Sequence, residues 1–143
     1  MTSFVVDASV AAKWFLPAAD EPLTEEALRL LERYAEGQIR FFVPDLFWAE
    51  CLNVMWTAVR RGRWTRSTAE AAMASFVNRD LPTIPSRKLL HSAYDLAITF
   101  NRPVYDCLYV ALALRVKAPL VTADEKLANA LAAHLPVKWL GSV

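Results

Sequence analysis

Cysteine is nearly absent from this chain. Only Cys51 and Cys107 occur, with neither C-x-x-C spacing nor a nearby histidine. That pattern excludes a zinc site and a disulfide framework, and it fits a reducing, cytoplasmic setting. An excess of charge of one sign is absent too. Sixteen Lys and Arg against fifteen Asp and Glu leave a net charge of +1, so there is no global field to draw nucleic acid or membrane, and any such partner must be met by a local patch. The opening MTSFVVDASV lacks the basic flank and long apolar stretch of a signal peptide. The longest purely apolar run, Cys107 to Leu114, is far shorter than the ~20 residues a membrane span needs. A soluble protein with no membrane partner is expected. No linker, repeat or low-complexity stretch interrupts the chain.

What is present is apolar. Hydrophobic residues make up 55% of the 143 residues, above the usual ~45–50%. A chain of this length buries roughly 68–70% of its unfolded surface, so residues 1–143 are expected to form a single domain with some apolar area left for a partner.

Short apolar strands alternate with helices. Phe4-Val5-Val6 stops at Asp7, and Ser9 to Leu16 reads as a helix ended by Pro17. Thr24 to Glu36 is a second helix, with Leu28, Leu31 and Ala35 on one face and Gly37 as its stop. Phe41 to Val43 is a strand. Asp45 to Arg61 is a long helix with Leu52, Met55, Trp56 and Val59 as its apolar positions and Gly62 just beyond. Thr65 to Arg79 is its antiparallel neighbour. Leu81 to Pro85 is a short edge piece, as its prolines require. Helices at Ser86 to Phe100 and Tyr105 to Val116 follow, then a strand in PLVTAD, a helix from Glu125 to Ala133 and a closing strand from Val137 to Leu140. Strands apolar throughout must be buried on both faces. The expectation is an α/β fold, a three-layer α/β/α sandwich around a short, mostly parallel sheet.

In open parallel sheets ligands bind beyond the carboxyl ends of the strands, where strand order reverses. Asp7 closes FVV, Asp124 closes LVTA, and each precedes a helix. Asp106 heads the apolar run YDCLYVALAL. Any of the three, taken alone, reads as a helix N-cap. Glu50 does not, since it lies a turn inside its helix, with Asn53 and Thr57 continuing a polar stripe at i+3 and i+7. Clustered carboxylates raise one another's pKa unless cations neutralise them. Oxygen donors without Cys or His select Mg²⁺ or Mn²⁺, ions that activate water and stabilise charge on a phosphate. Metal-dependent phosphodiester hydrolysis is the chemistry this pattern suggests.

With these four acids placed, the sequence resembles the PIN-domain ribonucleases, and most closely the VapC toxins of bacterial and archaeal type II toxin–antitoxin pairs. The resemblance lies in VVDASVAAKWF, PDLFWAECLNV, YDCLYVALA and LVTADEKLANAL, four segments in the family's order across nearly the whole chain. It implies that Asp7, Glu50, Asp106 and Asp124 form an acidic catalytic and metal-binding quartet for Mg²⁺ or Mn²⁺. It implies supporting roles for Ser9, Asn53 and Thr122, which orient carboxylates or water. It also implies an RNA substrate such as tRNA or rRNA, a cognate antitoxin protein and a homodimer.

Other features are weaker. The stretch RRGRWTR, with Arg60, Arg61, Arg63, Arg66 and Trp64, reads either as a solvated helix end or as a place to hold RNA phosphate and stack a base. Lys13 reads as a surface lysine. His91 and His134 are structural or surface residues, and Trp14, Trp48, Trp56, Phe41 and Phe42 are core. Two alternatives stand beside the nuclease: an aspartyl-phosphate phosphatase or phosphoacceptor domain using Asp7, and a non-catalytic partner-binding module.

Overall fold

A computed structural model describes residues 1–19 and 21–143 of the chain. Strand β1 (Thr2–Val6) leads into helix α1 (Ala8–Phe15), and α2 (Thr24–Ala35) leads into β2 (Ile39–Pro44). Helices α3 (Leu46–Arg60) and α4 (Arg66–Val77) precede the short β3 (Thr83–Ile84). Then come α5 (Leu90–Phe100), α6 (Val104–Val116), β4 (Leu120–Thr122), α7 (Glu125–Leu131) and β5 (Val137–Trp139). The sheet order is β3-β2-β1-β4-β5 and every pairing is parallel. The proline-flanked strand β3 lies at an edge, as a residue without an N–H requires.

Central strand β1 buries Phe4, Val5 and Val6 alike, the mark of a strand covered on both faces. Helix α6 is buried continuously from Cys107 to Ala113, so its nearly uninterrupted apolar sequence reflects a helix enclosed on all sides. It packs on α5, β1 and β2, while α1 packs on α2 and α3. Helices α2 and α3 end where Gly37 and Gly62 adopt φ of +73° and +74°. There the N–H groups of Gln38 and Arg63 reach back to the carbonyls of Arg33 and Ala58, each at 2.9 Å, in the paired-bond helix stop that glycine favours.

Several helix faces are rotated from the sequence expectation. Helix α2 buries Ala27 and Leu30 and leaves Leu28 exposed. Helix α3 buries Phe47, Cys51, Met55 and Ala58, and leaves Trp56 57% exposed, stacked under Arg60 at 5.0 Å. Each helix carries two apolar stripes about 100° apart, and the sheet takes only one. Trp64 packs on Phe15 at 6.2 Å rather than standing free to stack a base. Lys13 is buried rather than on the surface, held by Glu21 at 3.0 Å in a recess that α1 shares with α3. No helix among the described residues is long and apolar enough to cross a membrane.

Candidate active site

Strand order reverses at β1. The chain runs from β1 through β2 to β3 on one side, then returns over the sheet to place β4 on the other. The carboxyl ends of β1 and β4 therefore open the crevice where such sheets bind ligands. Asp7 and Asp124 stand there as N-caps of α1 and α7. Asp7 Oδ1 accepts from the N–H groups of Ser9 and Val10, and Asp124 Oδ1 accepts from that of Leu127 at 3.1 Å.

Glu50 arrives from the second turn of α3 and Asp106 from the first turn of α6. Asp106 does not cap its helix, because α6 starts at Val104 with Pro103 as N-cap. Proline's fixed φ and missing N–H suit that boundary, and Asp106, inside the turn, is free to point elsewhere. All four carboxylates line one cavity of about 150 Å³, together with Ser9 and Tyr109.

Hydroxyls tie the first and last acids together. Ser9 Oγ donates to Asp7 at 2.5 Å and accepts from the Ala123 N–H at 2.9 Å. Thr122 Oγ1 lies 3.4 Å from Ser9 Oγ and accepts from the Asp124 N–H at 3.1 Å. One hydroxyl chain thus links the end of β1 to the end of β4. Asn53 is exposed one turn beyond Glu50 and lines neighbouring cavities rather than the carboxylate one.

Two residues at the site escape a reading of the sequence. Tyr109 donates its hydroxyl hydrogen bond to Glu50 Oε1, and Arg102 lies 3.4 Å from Asp106 Oδ2. Tyr109, at i+3 from Asp106, lies on its side of α6, and Arg102 stands two residues before that helix begins. That spacing is the available signal, masked by the apolar character of the run.

The electrostatics are those of a crowded anionic pocket. Burial, opposed by the Ser9, Thr122 and Val10 hydrogen bonds and assisted by Glu50, raises the Asp7 carboxyl to about 6. Burial and the nearby Asp106 charge raise Glu50 against the Tyr109 bond, and burial and the Asp124 charge raise Asp106 against Arg102. Such a pocket favours either protons or cations.

The donor set suits a hard divalent cation. One oxygen each of Glu50, Asp106 and Asp124 is engaged, by Tyr109, Arg102 and the Leu127 N–H, and the other has no protein hydrogen bond among the described residues. Among those residues no three acidic, His or Cys side chains converge on one point. Mg²⁺ tolerates that spacing, since it takes one or two carboxylates directly and keeps several waters that reach the rest.

A five-stranded, all-parallel sheet flanked by helices is the arrangement of the PIN fold. The chain belongs to the PIN-domain family, whose model matches residues 4–131. Within that family it is 31% identical over 127 residues to Ribonuclease VapC3 of Pyrobaculum aerophilum, an alignment covering 87% of this chain and 92% of the relative. The fold is similar to PAE2754 of Pyrobaculum aerophilum, with a TM-score of 0.70 at 18% identity over 99% of this chain and 85% of that one. It is also similar to VapBC2 of Rickettsia felis, solved bound to a DNA fragment from their promoter. There the TM-score is 0.64 at 14% identity, over 96% of this chain and 98% of that one.

Proposed function

We propose that this chain is a metal-dependent endoribonuclease that hydrolyses RNA phosphodiester bonds and serves as the toxin of a toxin–antitoxin pair. The observation that carries the reading is the meeting of four carboxylates from four separate elements in one small cavity at the strand-order switch. Asp7, Glu50, Asp106 and Asp124 are the residues assigned to hold Mg²⁺ or Mn²⁺. When bound there, the cation supplies Lewis acidity towards a phosphate oxygen and a more acidic water. Ser9 and Thr122 keep Asp7 and Asp124 in register with each other, Tyr109 holds one oxygen of Glu50, and Asn53 extends the polar surface towards the substrate. The named activity of the 31% identical relative supports the ribonuclease assignment.

The partner assignment is supported by the VapBC pairing of a structural neighbour. A homodimer is supported by Leu90, Tyr94 and Ile98, which repeat every fourth residue along α5 and stand 47%, 60% and 68% exposed. Such a contiguous apolar stripe marks an interface on a soluble chain. The two buried free thiols, Cys51 and Cys107, suit the cytoplasm. A single nuclease domain over residues 1–143 completes the reading.

The test is incubation of purified, antitoxin-free protein with total tRNA and rRNA in Mg²⁺, Mn²⁺ or EDTA, beside Asp7→Asn purified identically. Discrete cuts that need metal and vanish in the variant are expected. Metal binding without cleavage of any RNA would favour the partner-binding module instead.

A further inference from the structure

A second cavity opens directly off the carboxylate pocket. It has a volume of about 360 Å³ and shares Ser9 and Asp124 with the smaller one. Its size is near the lower limit for ligand sites, ~300 Å³, enough for one nucleotide and too small for a folded RNA element.

The lining of this cavity carries both signs of charge. Near the shared wall stand Ser9 and Asp124. One turn along α1 from Ser9, Lys13 is held by Glu21 at 3.0 Å, which also takes Arg63 at 3.5 Å, and Arg61, two turns along α3 from Asn53, lines the same cavity with no ion-pair or hydrogen-bond partner among the described residues. Between them lies an apolar floor of Ala12, Leu16, Val54 and Ala58. The Asn53 amide borders it without a hydrogen bond among the described residues, whereas the Thr57 hydroxyl is already committed to the Asn53 carbonyl at 2.9 Å.

We propose that this cavity receives one unstacked nucleotide of single-stranded RNA adjacent to the cleaved phosphodiester. The base lies on the Val54 and Leu16 floor, its edge meets the Asn53 amide, and the flanking phosphate meets Arg61. The inference rests on the ribonuclease reading and deepens it. A polyanion approaching four carboxylates meets repulsion, and a cation placed one nucleotide away offsets it. Sequence-selective recognition of RNA works on splayed, unstacked bases, which a cavity of this size and polarity accommodates. The basic stretch at the end of α3 is thereby divided: Arg61 faces the cavity, while Arg60 lies over Trp56 and Arg66 pairs with Glu70 at 2.8 Å.

The test measures binding of a labelled single-stranded RNA octamer by fluorescence anisotropy, in the cleavage-blocked Asp7→Asn protein with Mg²⁺, across a salt series. Arg61→Gln is expected to weaken binding about tenfold and to flatten the log–log salt dependence by about 0.7, the loss of one single-strand phosphate contact. Arg60→Gln changes the net charge identically but lies off the cavity, and is expected to leave binding within about twofold. Val54→Trp, which fills the cavity without changing charge, is expected to weaken binding with the salt slope unchanged, in a protein that still melts cooperatively. Equal losses for Arg61→Gln and Arg60→Gln, or undiminished binding by Arg61→Gln or Val54→Trp, overturn the subsite. If the protein with Asp7 intact still cuts RNA in those cases, the subsite alone falls. If that protein neither binds nor cuts any RNA, both readings fall.

Discussion

Replacing Asp7 with asparagine should make the metal-free protein more stable while it destroys the proposed activity. The carboxyl of Asp7 ordinarily loses its proton near 3.8 and here keeps it to about 6, chiefly because it is buried. At ~1.4 kcal/mol per tenfold change in proton affinity, that difference corresponds to about 3 kcal/mol. Because the folded-state pKa lies above the unfolded one, this stabilisation is complete below about pH 4 and is lost as pH rises through about 6. At about pH 7.5 without metal the wild type thus carries a buried charge that its hydrogen bonds only partly offset. Asparagine keeps an acceptor oxygen for the Ser9 and Val10 N–H groups, and Asn caps helices about as well as Asp. Urea unfolding in EDTA at about pH 7.5 should therefore find Asp7→Asn more stable by about 1–3 kcal/mol. The gap should narrow as pH falls towards about 5, where the wild-type carboxyl regains its proton. Saturating Mg²⁺ should reverse the order, since a ligand of the folded state stabilises the protein that binds it. A variant less stable than wild type in EDTA at the higher pH, or a gap independent of pH, would mean that Asp7 does not carry a strained buried charge.

The same geometry fixes three other outcomes. Tyr109→Phe removes the donor to Glu50 Oε1 and should weaken Mn²⁺ binding by about tenfold or more, as loss of a group that orients a ligand does; unchanged affinity in a calorimetric titration would show that Glu50 needs no such support. Ile98→Glu, at the end of the exposed α5 stripe, should shift sedimentation from dimer to monomer without a loss of helical signal, and an unchanged sedimentation coefficient would remove the stripe as the interface. An RNA carrying a 2′-deoxy residue at the cut position should still be cleaved, because the proposed metal centre activates water rather than the ribose hydroxyl; protection by that substitution would require a different attacking group.

How far a sequence like this one can be read depends on which physical signal each feature leaves. Period and punctuation suffice for the order of elements: FVV, the two helix-stopping glycines and the prolines around Thr83 all report local backbone preference, and the parallel sheet follows from strands that are apolar throughout. The four acids are legible because each breaks an apolar context near a strand end or helix start. What local preference does not encode is which stripe of a doubly apolar helix faces the sheet, so Trp56 reads as core when Met55 and Ala58 hold that face. Lys13 is unreadable for a related reason. Its partner Glu21 lies beyond the end of α1, and only the fold closes that ion pair beside the site. Tyr109 is hidden differently: an aromatic in a buried helix looks like packing until its hydroxyl is seen to meet Glu50.

Whether four carboxylates from four elements act as one metal-dependent centre for RNA hydrolysis is decided by a single kinetic titration. The quantity to measure is the initial rate of cleavage of one RNA against Mn²⁺ concentration, for wild type and for Asp106→Asn with a matching circular dichroism spectrum. A shared centre gives no cutting in EDTA, a saturable rise with Mn²⁺ in the wild type and a flat baseline in the variant. Cutting that survives EDTA, or an Asp106→Asn rate equal to that of the wild type, would show that the carboxylates do not form such a centre.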